Sequence, residues 1–211
     1  VSDQVGVELP GIRLPGDLTV PAGASGLVIF AHGSDSSRQS PRNQYVARVL
    51  NHAGLATLLF DLLSSEEAAD RRNVFDIELL AERLTATRSW AAGLGTVDRL
   101  PVGYFGASTG GAAALWSAAG ADVGAVVSRG GRIDLAGPRL ASVRAPTLLI
   151  VGERDPDVLG FNREAQQSLR CENRLEIVPG ATHLFAEPGT LERVADLARD
   201  WFDRALADHA R

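Results

Sequence analysis

The strongest constraint in this chain is a set of continuous apolar runs separated by segments of helical periodicity. The runs are Leu27–Phe30, Leu55–Phe60, Pro101–Phe105, Val123–Val127, Thr147–Val151 and Leu175–Val178. Runs without polar alternation suit strands covered on both faces, the environment of a parallel sheet. Between them, Pro41 opens a helix with Tyr45, Val46, Val49 and Leu50 on one face, ending near Gly54. After the polar stretch Ser64–Asn73, Ile77, Leu80 and Leu84 recur at helical spacing. Thr109–Ala119 reads as a helix of small residues and Phe161–Leu169 as a further helix. The chain closes on a stripe of Leu191, Val194, Leu197, Ala198, Trp201 and Phe202. Ahead of the first run, Val5, Val7 and Leu9 alternate, and Leu18 and Val20 resume after Pro15-Gly16-Asp17, which predicts a hairpin turning there. The expectation is an α/β fold: a mostly parallel sheet of about seven to eight strands, helices on both faces, and an N-terminal antiparallel hairpin. With no repeat, linker or composition shift, residues 1–211 read as a single domain.

Composition narrows the chemistry. All 21 basic residues are Arg, so no Lys is available for a Schiff base or a phosphate-binding loop. A net charge of −5 offers no electrostatic footprint for nucleic acid. The one cysteine, Cys171, cannot form an internal disulfide and reads as an inert thiol near a helix end. His32, His52, His183 and His209 are not at metal-ligand spacing, so neither metal nor cofactor is expected. Val1–Pro10 lacks the basic and apolar stretches of a signal peptide, and no run is long enough to span a bilayer. The expectation is a cytoplasmic protein, monomer or homodimer, with a small-molecule substrate and no nucleic-acid or membrane partner.

In an open parallel sheet, ligands bind at the carboxyl ends of the strands. Functional residues should therefore follow the apolar runs, and several do. Gly106-Ala107-Ser108-Thr109-Gly110 fits G-x-S-x-G in a strand–turn–helix context that exposes Ser108 on a sharp turn above a helix N-terminus. A serine hydroxyl needs a base. His183 lies directly after the last run, in Pro179-Gly-Ala-Thr-His-Leu-Phe185. The base needs an acid to fix its tautomer. Asp155 follows the fifth run and is the first choice, with Glu153 and Asp157 as alternatives. Oxyanion donors would be the Thr109 N–H and, from the loop after Leu27–Phe30, the Ser34 N–H, with Gly33 permitting close approach. Together these residues predict acyl transfer through a Ser108–Asp155–His183 triad.

The blocks His32-Gly33, Gly-Ala-Ser-Thr-Gly, Val-Gly-Glu-Arg-Asp and Gly-Ala-Thr-His-Leu-Phe cover nearly the whole chain. In this order they resemble the α/β-hydrolases, specifically the serine-nucleophile, dienelactone hydrolase-like group. The chain is also similar to hydrolase segments fused to phosphoribosyltransferase domains, which carry stretches like Ser128-Arg129-Gly130-Gly131-Arg132. No phosphoribosyltransferase signature is present. Dienelactone hydrolases proper use a cysteine where this chain has Ser108, which favours an ordinary ester over a lactone.

The resemblance implies a serine esterase acting on a small soluble ester. The alternatives are a thioesterase or acyltransferase with the same triad, a lactone hydrolase, or a non-catalytic ligand-binding module. Members of this family often insert a lid between the fourth and fifth runs. Here Ser128–Pro146, broken by Gly130, Gly131, Gly137 and Pro138, leaves room for a turn or two of helix and no cap domain. The pocket walls are then expected from loops such as Leu62–Asn73. His32, Arg129, Leu184 and Phe185 are the candidate pocket residues. His32 also reads as a structural residue hydrogen-bonding loop carbonyls, and Arg129 as an ion-pair partner for a carboxylate such as Asp134.

Overall fold

Each apolar run becomes a strand of one sheet. The structure, a computed structural model, describes residues 2–210. Strands β1 (Ser2–Leu9) and β2 (Ile12–Thr19) form the hairpin. They are followed by β3 (Leu27–Ala31), β4 (Ala56–Phe60), β5 (Val102–Ala107), β6 (Ala125–Arg129), β7 (Thr147–Gly152) and β8 (Asn173–Val178). The spatial order is β1-β2-β4-β3-β5-β6-β7-β8. Pairing is parallel from β4 to β8 and antiparallel where β2 meets β1 and β4.

Helices α1 (Pro41–His52), α2 (Ser65–Ala68), α3 (Arg71–Val74), α4 (Ile77–Ala91), α5 (Thr109–Ala118), α6 (Pro156–Gln166) and α7 (Thr190–His209) connect and cover the strands. Local chemistry sets where they start. Pro41 occupies the first turn of α1, where its missing N–H costs nothing. The Ser40 hydroxyl accepts the Asn43 N–H, and the Asp76 carboxylate accepts the Leu79 N–H at 3.0 Å to start α4.

The sheet separates two cores, and the period of two along each strand decides which side a residue joins. Ile29, Leu58, Tyr104, Val126 and Leu149 pack under α4 and α5. Val28, Leu59, Phe105, Val127 and Ile150 pack under α1 and α7. Each such fully buried large side chain contributes ~1.5–3 kcal/mol. The connection from β6 to β7 holds only 3-10 turns over Ile133–Ser142, kinked at Gly137, and no cap domain. No helix among the described residues is long and apolar enough to cross a membrane.

Three local expectations change. The hairpin turns at Pro10-Gly11, where Gly11 has φ 77°, and Pro15-Gly16-Asp17 lies inside β2. Pro15 is tolerated because the β2–β4 ladder begins only at Gly16, so its nitrogen owes β4 no hydrogen bond. Helix α6 begins at Pro156 rather than near Phe161. The polar stretch after β4 folds into α2, closed by a Ser64–Glu67 capping box, and α3, capped by Asp70.

Candidate active site

Strand β5 enters α5 through Ser108, whose φ of 52° and ψ of −121° put a non-glycine residue in the left-handed half of backbone space. Such a conformation costs on the order of 1–3 kcal/mol and persists only where packing imposes it. Here the packing is explicit. A Cβ on Gly106 would overlap the Gly110 carbonyl, and one on Gly110 would overlap the Ala31 carbonyl, so α5 lies directly on β3 and β5. The Ser108 N–H donates to the Arg129 carbonyl at 3.2 Å, and the Ser108 carbonyl accepts the Gly111 and Arg132 N–H groups at 3.0 Å each. The backbone is therefore held on both sides while the side chain stays half-exposed. Thr109 begins α5, so its N–H has no intrahelical acceptor and sits at the positive end of the helix dipole.

Asp155 and His183 are brought together. The His183 Nδ1–H donates to Asp155 Oδ2 at 2.6 Å, leaving Nε2 with a free lone pair. Asp155 sits at the start of α6, yet its carboxylate does not cap the helix; it turns to the imidazole instead. The other two carboxylates are elsewhere: Glu153 accepts the Gly180 N–H at 2.8 Å, and Asp157 is exposed in the first turn of α6. The loop carrying His183 is pinned at several points. Thr182 donates its N–H and hydroxyl to Glu187 at 3.0 and 2.7 Å, and these bonds hold the Glu187 carboxyl below its ordinary range. Arg154 N–H donates to the Ala181 carbonyl at 2.9 Å. Phe185 is a second non-glycine residue at positive φ, 53°, and its ring is fully buried. Gly130, at the end of β6, lies against the imidazole: a Cβ there would meet His183 Nδ1 at 3.4 Å.

The loop after β3 is fixed by His32. Its Nδ1–H donates to the Gly33 carbonyl at 2.9 Å, and its Nε2 accepts the Leu62 N–H at 3.0 Å. Burial pushes its pKa down, against smaller opposing effects of the Gly33 bond and Asp61, so the ring is neutral. In a planar trans peptide the N–H points opposite to the carbonyl. Anchoring the Gly33 carbonyl on His32 thus directs the Ser34 N–H to the other side of that peptide. A Cβ on Gly33 would lie 3.1 Å from the Ser108 Cβ, so this loop runs directly beside the serine.

A cavity of about 150 Å³ opens next to the serine turn. His32, Gly33, Ser34 and Thr109 form its near end, and the segment from Asp61 to Leu80 forms its far wall. Of the four residues expected in the pocket, only His32 lines it. Leu184 is 48% exposed, and Phe185 is buried under the histidine loop. Arg129 turns to the α1 and α7 face, 7% exposed, with its guanidinium 5.9 Å from the Phe185 ring and 3.5 Å from Asn43 Oδ1. Asp134 pairs with Arg132 through bonds of 3.0 and 2.8 Å rather than with Arg129. Val74 and Leu80 complete the apolar wall, and the sequence does not mark Leu80 as a pocket residue because it carries only the ordinary signal of a helix stripe. Among the described residues no group of three His, Cys, Asp or Glu side chains is placed to hold a metal ion.

A solved dienelactone hydrolase from Anabaena variabilis is 52% identical with a TM-score of 0.95, and the match covers 98% of both chains. A Mycobacterium tuberculosis protein provisionally named a phosphoribosyl transferase is 59% identical over 202 residues, 95% of this chain but 46% of its own length. The chain thus spans about half the length of such curated relatives. The esterase domain of a Rhodothermus marinus protein shares the fold at 20% identity, with a TM-score of 0.77 over 98% of this chain and 99% of that one. No family model matches the chain.

Proposed function

The chain belongs to the dienelactone hydrolase family of α/β-hydrolases, and from that premise we propose that it cleaves a carboxylic ester of a small soluble substrate through an acyl-enzyme on Ser108. The observation that carries this reading is the Asp155–His183 pair, closed at 2.6 Å, at the same sheet edge as a serine strained into φ 52°. His183 Nε2 takes the Ser108 hydroxyl proton as Oγ bonds to the ester carbon. The Ser108 side chain makes no capping bond to α5, and contacts between a nucleophile and its base often close only once substrate is bound. The carbonyl oxygen becomes an oxyanion between the Ser34 and Thr109 N–H groups. The carbon–oxygen bond to the alcohol then breaks, and the alcohol leaves with the proton from His183. Water repeats the cycle: it gives a proton to His183, attacks the acyl carbon, and releases the acid with Ser108 restored. Asp155 holds the imidazole in the required tautomer and stabilises the imidazolium.

The test is turnover of p-nitrophenyl acetate and butyrate, with labelling by a fluorophosphonate probe. Wild type is expected to hydrolyse and to be labelled on Ser108, and Ser108→Ala to do neither. Retained turnover in that variant overturns the mechanism. A second reading, lactone hydrolysis, draws on the name of the 52% identical relative. A lactone passes through the same steps, but its alcohol stays tethered to the acyl group. Faster turnover of γ-lactones than of open-chain esters of equal carbon number would select it.

A further inference from the structure

The cavity beside Ser108 lies on a defined side of the scissile bond. The sheet order puts β4 and β3 on one side of β5, and β6 on the other. Ser108 follows β5. His183 rests on Gly130, which follows β6. The cavity is built on the opposite side, from the residues that follow β3 and β4. In the proposed reaction the leaving oxygen has to reach His183, so the alcohol lies over β6. The substituent on the other side of the carbonyl points away, over β3 and β4, where the cavity is.

Size and polarity then specify the occupant. An engineered protein cavity of ~150 Å³ admits benzene, about six carbon atoms. The cavity here is of that size, about 150 Å³. Its deep wall is aliphatic: Leu62, Leu63, Val74 and Leu80 are all buried. Five serines line the remainder. Among the described residues, the ionisable ones lining it are His32 and Asp61. The His32 ring is neutral with both nitrogens bonded, and the Asp61 carboxylate accepts the Arg38 backbone and guanidinium N–H groups at 2.7 and 2.8 Å. Among the described residues no lining group offers an unpaired positive charge, so a carboxylate entering the cavity would lose its hydration without a partner. Resting on the esterase reading above, we infer that this cavity is the acyl site, and that it takes an uncharged acyl group of roughly four to six carbons or a single ring.

The experiment measures kcat/KM for p-nitrophenyl esters from acetate to decanoate, with the p-nitrophenyl hemiester of glutaric acid as the charged counterpart of valerate. The expected profile peaks between butyrate and hexanoate and falls at least about tenfold by decanoate, with the hemiester at least about tenfold below valerate. Two variants reshape the cavity from different places. Leu80→Ala deepens it and is expected to move the optimum to longer acyl chains. Ala68→Phe replaces an exposed residue at its edge, so folding is not at risk, and is expected to lower the hexanoate-to-acetate ratio about tenfold. A parallel series of acetate esters with alcohols of rising length completes the test. Variants that change the alcohol series and leave the acyl series alone overturn the assignment, as does a glutaryl hemiester turned over as fast as valerate. In both cases fluorophosphonate labelling of Ser108 persists, so the esterase reading survives. Loss of labelling in wild type removes both.

Discussion

Arg129 carries a stability cost that can be measured. The residue is 7% exposed, and its buried Nε and Nη1 have no hydrogen-bond partner among the described residues. The charged group it feels most is another arginine, Arg42, and burial together with that repulsion pushes its pKa from 12.5 down to about 10. A shift of that size makes the charged form ~3 kcal/mol less favourable in the folded protein than in the unfolded chain. The folded pKa is the lower one, so this stability is present only above the unfolded value and is lost as pH falls through the folded one. At neutral pH the whole cost is borne. Two contacts offset it. The Phe185 ring at 5.9 Å is at the outer limit of a cation–π contact, ~0.5–1 kcal/mol, and the 3.5 Å bond to buried Asn43 adds ~0.5 kcal/mol. Arg129→Met fills similar space without the charge and leaves the backbone carbonyl that holds Ser108 in place. The expected result is a gain of ~1–2 kcal/mol in urea unfolding, or roughly 2–8 °C in Tm. Arg132→Met serves as the control: its guanidinium makes two bonds to Asp134, so loss or no change is expected. A loss of ~1 kcal/mol or more in Arg129→Met refutes the argument, because a buried cation that stabilises must have a partner for those two nitrogens.

The remaining outcomes bear on the serine, the acid and the oxyanion loop. Ser108→Gly relieves the positive φ and is expected to raise stability by up to ~1 kcal/mol, less the entropy glycine adds to the unfolded chain, while abolishing probe labelling. Asp155→Asn keeps the fold but presents the wrong tautomer, so kcat is expected to fall ~10⁴-fold with KM little changed. His32→Ala frees the Gly33 carbonyl, and kcat is expected to fall ~10²–10³-fold, the usual cost of one oxyanion donor, while Ser108 is still labelled slowly. Because His32 is buried neutral with a lowered pKa, the unfolded chain binds the extra proton first. Its contribution is intact above the ordinary histidine value of 6.5 and is lost as pH falls through the lower folded value, so urea midpoints of wild type should drop across that interval more than those of His32→Gln.

The parallel strands were legible because both faces of this sheet are covered, so each strand is apolar throughout and stands out from its neighbours. Leu27–Phe30, for example, is matched almost residue for residue by β3. The edge of the sheet was harder. Pro15-Gly16-Asp17 has the composition of a turn, but the pairing of β2 with β1 overrides it. The start of α6 was harder to read because Gly160 interrupts its first turns, although Asp155-Pro156 has the composition of a helix start. The site followed the same division. Residues placed by the backbone at strand ends, such as Ser108, Asp155 and His183, could be located from the strands alone. Pocket residues were legible only in part: His32 and residues of the Leu62–Asn73 segment line the cavity, whereas Arg129, Leu184 and Phe185 do not, because nearness in sequence to a key residue does not set direction. Arg129 pairs with Ala107, one residue before Ser108, yet the alternation of β6 turns its side chain toward α1, away from the cavity. Leu80 lies 28 positions from Ser108 but reaches the cavity because α4 is carried back across β3 and β5. A cavity wall is a property of how elements meet, and side-chain periodicity within one element reports only that the residue is buried. That is why Leu80→Ala is informative: to a reading of the helix stripe it is a core truncation, and to the acyl-site assignment it is a change in substrate length.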